Sequence, residues 1–162
     1  MEIWKPIPEF PRYSVSNEGR IRNERTERIM RLSMNQYDVL TVGMMHCGTQ
    51  FRRSVPLIVA QEFVPGGTEF FDTPICMDWD RWNVRANNLC WRPNWFAVLY
   101  NRQIKRPYFA PIRRPIRNAK TGEEFPDSRE ASKWYGVLEE DLVDSIHLRT
   151  FVWPLFQQFE II

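Results

Sequence analysis

Apolar positions near the start of the chain alternate with polar ones over short runs, the spacing of half-buried strands. Pro6, Pro8 and Pro11 exclude an early helix. Tyr13-Ser14-Val15 reads as a short strand, Asn17-Glu18-Gly19 as its turn, and Arg20-Ile21-Arg22 as the return strand with Ile21 inward. Alternation resumes from Tyr37 to Val42, breaks at His46-Cys47-Gly48 and continues from Phe51 to Val55, which predicts a hairpin. Residues 56–65 then read as a short helix, started by Pro56 and ended by Pro65-Gly66-Gly67.

The second half has a different rhythm. Residues 101–118 are basic and broken by Pro107, Pro111 and Pro115, with Tyr108 and Phe109 between them, so an extended linker is expected. Lys120-Thr121-Gly122-Glu123 is a turn. Asp127 or Ser128 caps a helix with Glu130 in its first turn and Gly136 at its end. A second helix runs from about Glu139 to His147 with Leu142, Val143 and Ile146 as its apolar face. The apolar tail from Phe151 to Ile162 reads as a last strand, or else as a contact surface for a partner or a second copy.

With 162 residues, the chain has room for one ordinary domain or two or three small modules. Seven Trp and eleven Phe suit small cores, which need bulky side chains to bury enough area. No run approaches the ~20 apolar residues of a membrane span, and the N-terminus has no signal-peptide pattern. Cys47, Cys76 and Cys90 lack CxxC spacing, so buried thiols in a reducing cytoplasm are expected, with neither disulfides nor a zinc knuckle.

The net charge of +2 hides a strong segregation. Residues 81–122 contain no Asp or Glu. They carry Arg81, Arg85, Arg92, Arg102, Lys105, Arg106, Arg113, Arg114, Arg117 and Lys120, a candidate nucleic-acid-binding set. Beyond them Glu139, Glu140, Asp141 and Asp144 form an acidic patch, a candidate protein-partner surface.

Four segments, in order, resemble homing endonucleases of the HNH type. Trp4-x-x-Ile7 followed by Tyr13, Val15-Ser16-Asn17, Gly19 and Arg20-Ile21-Arg22 resembles the small module that precedes their HNH domains. Leu57-Ile58-Val59-Ala60 with Phe63 is similar to the helix that follows, although Pro56 replaces its His. Residues 74–91 resemble the HNH centre, where a His-Ile-Asp-Gly turn leads to Asn-Leu-x-Trp. Asn88-Leu89-Cys90-Trp91 fits that tetrapeptide, and Asp78 falls on the Asp of the turn. Thr121-Gly122-Glu123, Phe125, Glu130-Ala131-Ser132 and Trp153 are similar to a C-terminal helix-turn-helix-like repeat.

The resemblance implies an α+β fold. Its parts are an N-terminal β module (1–35), a degenerate ββα-metal core (36–100), a basic linker (101–118) and a helical C-terminal module (119–162). In active members a divalent ion holds the scissile phosphate while a His takes a proton from water. Those places here hold Ile75, Cys76, Asn88 and about Ala97, so the scaffold is kept and the chemistry lost. No catalytic set, metal or cofactor is expected. A relocated site using Asp78, Asp80, Asn94 and His46 is the remaining nuclease alternative. The partner implied is double-stranded DNA, bound without cleavage by a phage-encoded regulator. The alternative is a host or phage protein held by the acidic helix.

Overall fold

The computed structural model describes residues 1–105 and 110–162. These form two compact units, one of residues 1–76 with 80–94 and the other of residues 77–79 with 95–162. The architecture is α+β, with small antiparallel sheets and, among the described residues, four α-helices.

In the first unit β1 (Trp4–Ile7), β2 (Phe10–Ser16), β3 (Ile21–Asn23) and β4 (Arg28–Ile29) form one sheet in sequence order. Pro6 is tolerated because β1 is an edge strand. A second sheet holds β5 (Leu32–Met34), β6 (Leu40–His46) and β7 (Thr49–Ser54). The β6–β7 hairpin turns through Cys47 and Gly48, both at positive φ, as a two-residue turn requires. β6 starts at Leu40 rather than near Tyr37, because the Asn35 side chain accepts from the backbone N–H groups of Tyr37 and Val39 and makes a turn there.

Helix α1 (Val55–Phe63) starts one residue earlier than the sequence suggests, since Ser54 caps it by accepting from the Leu57 N–H. β8 (Thr73–Cys76) and β9 (Leu89–Arg92) pair antiparallel, with a 3₁₀ turn, Ala86–Asn88, just before β9. Val15, Ile21, Leu40, Val42, Val59 and Leu89 lie in one buried cluster. The core thus runs across the expected boundary at 35/36, and residues on both sides of it pack as one body.

Helix α2 (Asn94–Lys105) follows β9, completing the order of a ββα element. The second unit then contains β10 (Ile116–Asn118), β11 (Glu124–Phe125), α3 (Ser128–Tyr135), α4 (Glu139–Leu148) and β12 (Phe159–Ile161). The tail is a strand as expected, because β12 pairs with β10. Asp127 caps α3 and Gly136, at φ 59°, ends it.

The helices of the C-terminal module are backed by a sheet in the order β11-β10-β12. One expectation is corrected: 101–118 is not one linker. Residues 101–105 belong to α2, 106–109 lie outside the described residues, and Ile112 and Ile116 are core residues of the module. Backbone groups of Ile112 bond Ser128 in both directions, its N–H to the Ser128 hydroxyl and its carbonyl from the Ser128 N–H, each at 3.1 Å.

Gly19 shows how closely the first unit is fitted. Its φ is +83°, and a Cβ there would stand 2.6 Å from Val84 Cγ2. Beside it the Ala86 N–H donates to the Asn17 carbonyl at 2.8 Å. Gly19→Ala is expected to lower unfolding free energy by at least ~2 kcal/mol, from a strained φ plus overpacking. Urea denaturation measures it.

Candidate nucleic-acid interface

The turn after β8 is where an HNH enzyme keeps its base. Cys76 stands opposite Leu89, and Ile75 opposite Cys90. Ile75 and Ala97 are both buried and offer no donor atom. Burial pushes the Cys90 thiol up to about 11, so it remains neutral at pH 7. Asn88 is buried and its amide donates to the Asn83 carbonyl at 2.7 Å, which closes the loop leading into β9. A magnesium-like ion needs a group of oxygen donors. Two of the four positions that the resemblance assigns to the ion, Ile75 and Ala97, are hydrocarbon, and those residues do not fit such an ion.

The relocated set is not gathered either. Asp80 works as a turn residue, its carboxylate accepting from the Trp82 N–H at 2.9 Å. His46 ends β6 with its ring edge-on to Phe10 at 5.9 Å. Among the described residues no three His, Cys, Asp or Glu side chains stand close enough to share a metal ion. The three thiols are also less buried than expected: Cys47 is exposed, and Cys76 and Cys90 are half-buried.

Trp79 has φ 70°, the left-handed region that a glycine takes at little cost. Its indole N–H donates to the Tyr100 hydroxyl at 3.0 Å, and that hydroxyl donates to the Met77 carbonyl at 2.7 Å. On α3, Arg129 and Lys133 face the Trp79 ring at 5.3 and 5.6 Å. The sequence reading missed this group. The signal available was a Trp standing where the turn of the HNH pattern carries Gly.

The ten cations separate into two kinds. In the first unit Arg81 donates to the Asp38 carbonyl at 2.7 Å, and Arg85 pairs with Glu18 at 3.1 Å. Arg92 is buried, with a guanidinium N–H on the Trp91 carbonyl at 2.8 Å, so it is a structural residue rather than a surface contact. In the second unit Arg117 donates to Glu160 at 3.0 Å across the β10–β12 pair. Arg102 and Lys105 are exposed in the last turns of α2, and Arg106 lies outside the described residues. Arg113, Arg114 and Lys120 are exposed and make no ion pair among the described residues. Arg113 and Arg129 line one shallow depression with Pro111, Pro126 and Asp127.

The acidic patch needs a correction as well. Glu139 is 1 % exposed. It accepts from the Ser128 hydroxyl at 2.8 Å, lies 3.5 Å from Arg129, and its backbone N–H donates to the Gln103 side chain at 3.0 Å. Glu139 thus ties α4 to α3 through its carboxylate and to α2 through its backbone N–H, and a carboxylate so enclosed cannot meet a partner. Glu140, Asp141 and Asp144 remain on the surface.

Residues 2–44 match the NUMOD4 motif. No curated protein matches the chain. Among solved structures the fold is similar to that of the HNH homing endonuclease I-HmuI, in a structure concerning its DNA binding and cleavage. The two chains are 19 % identical with a TM-score of 0.57, over 99 % of this chain and 98 % of that one. The chain is thus similar to the NUMOD4 motif over residues 2–44 and, in its fold, to an HNH homing endonuclease.

Proposed function

We propose that this protein binds duplex DNA without cutting it. The observation that carries the reading is the split between scaffold and chemistry. The NUMOD4 motif and the ββα order are present, while Ile75 and Ala97 occupy places where cleavage needs ligands. A site-occupying regulator, of the kind a phage uses at a promoter or origin, needs the first and not the second.

Binding rests on exposed cations. Arg113, Arg114 and Lys120 are exposed and make no ion pair among the described residues, whereas Arg129 and Lys133 beside Trp79 are half-buried and pair with Glu139 and Glu130. Each phosphate contact releases counterions, so affinity falls with salt. The carboxylates of Glu140, Asp141 and Asp144 oppose phosphate, and α4 therefore turns a different face to DNA from the one they occupy. These three residues also favour the second reading, a basic protein partner held at α4.

Duplex binding measured by fluorescence anisotropy over a salt series, with magnesium present, tests the reading. Steep salt dependence is expected, and replacing both Arg113 and Arg114 by Ala should lower its log–log slope by roughly 1.8, about 0.9 per lost contact. Absence of binding at low salt would overturn it.

The acidic face also sets a pH dependence. Partial burial, and then Glu140 and Asp144, raise the Asp141 pKa above its ordinary value. The folded state therefore binds this proton more tightly than the unfolded chain, and stability is lost as pH rises through that range. Asp141→Asn is expected to melt higher than the parent at neutral pH. The difference should vanish below the ordinary Asp range, as read by thermal melts at several pH values.

A further inference from the structure

The segment from Pro111 to Arg113 is held against the start of α3 by a short buried relay. The Ile112 N–H donates to the Ser128 hydroxyl at 3.1 Å, and the Ser128 N–H donates back to the Ile112 carbonyl at 3.1 Å. The same hydroxyl donates to the Glu139 carboxylate at 2.8 Å, and Glu139 in turn lies 3.5 Å from Arg129 Nε. Ile112, Ser128 and Glu139 are all buried, so their neighbours Arg113 and Arg129 are carried on fixed backbone. Between these two arginines lies a depression of about 370 Å³, walled by Pro111, Pro126 and Asp127.

We infer that this depression is a site for one phosphate group, with the guanidinium groups of Arg113 and Arg129 as its donors. Arg113 is exposed and makes no ion pair among the described residues. Arg129 meets Glu139 through Nε, and the Trp79 ring lies 5.3 Å from its guanidinium. Those two contacts fix the side chain without exhausting it, because a guanidinium carries five N–H donors. A buried carboxylate is costly to keep, and Glu139 stands out of a ligand's reach while it orients the arginine. Held in this way, the planar fork loses little freedom when it takes an oxyanion. The Asp127 carboxylate is engaged as the α3 cap, accepting from the Glu130 N–H at 2.8 Å. Pro111 and Pro126 make stiff walls without backbone donors, which leaves recognition to the two arginines. The inference deepens the duplex reading by naming one phosphate site, and it rests on that reading only for the source of the phosphate.

Isotope-edited NMR of the full chain, titrated with inorganic phosphate at constant ionic strength, tests it. The Nε–Hε signals of Arg113 and Arg129 are expected to shift and saturate, and chloride should not reproduce the shifts. Arg113→Ala, at an exposed position, should keep the parent's circular dichroism spectrum and bind phosphate about tenfold more weakly, the size of one lost charge-assisted hydrogen bond. Arg25→Ala, which removes an exposed arginine of the first unit, should leave phosphate binding unchanged. A duplex oligonucleotide that displaces the phosphate identifies the DNA backbone as its source. Phosphate that stays bound beside the duplex assigns the same site to a free phosphate or a phosphomonoester. Shifts that never saturate, that chloride reproduces, or that Arg113→Ala leaves unchanged would sink the inference, and duplex binding that persists in that case leaves the duplex reading standing. Saturable phosphate binding by a chain that binds no duplex removes the duplex reading alone.

Discussion

The first unit depends on how the segment before β9 is closed. Asn88 donates to the Asn83 carbonyl, Ala86 donates to the Asn17 carbonyl, and Val84 is buried against Gly19. Arg81 adds a bond to the Asp38 carbonyl. Together these bonds satisfy backbone groups that a buried loop would otherwise leave unpaired, and each such group is expensive to bury alone. They attach the loop to the N-terminal hairpin by contacts that require no catalytic residue.

Much of this was legible in the sequence because the signals are local. Asn17-Glu18-Gly19, the Cys47-Gly48 turn, the Asp127 cap and the Gly136 stop all act within a few residues, where side-chain chemistry fixes backbone conformation directly. The ββα order was implied by the resemblance of Asn88-Leu89-Cys90-Trp91 to the HNH pattern. What sequence could not give was the fate of charges. Arg85 finds Glu18, and Arg117 finds Glu160, across long separations that no pattern announces. Glu139 opens a helix, normally an exposed place, yet Ser128, Arg129 and Gln103 enclose it. Counting cations in an acid-free run therefore overstated the surface available to phosphate.

The remaining basic surface is smaller and better defined. Arg113, Arg114 and Lys120 are presented by a module whose Asn118 fixes the following turn, accepting from the N–H groups of Lys120 and Thr121. On the same unit the Trp79 ring lies under Arg129 and Lys133, and the bonds through Tyr100 offset the cost of its left-handed backbone. On the proposed reading, attraction to a duplex needs exposed cations and no defined metal geometry.

The most direct test of this separation is strand breakage in supercoiled plasmid at protein concentrations that saturate binding, with magnesium and then manganese. The account expects the plasmid to be bound and to remain supercoiled. Relaxed circles that accumulate with time, disappear on chelation and are lost when Asp78 and Asp80 are replaced by Ala would contradict it.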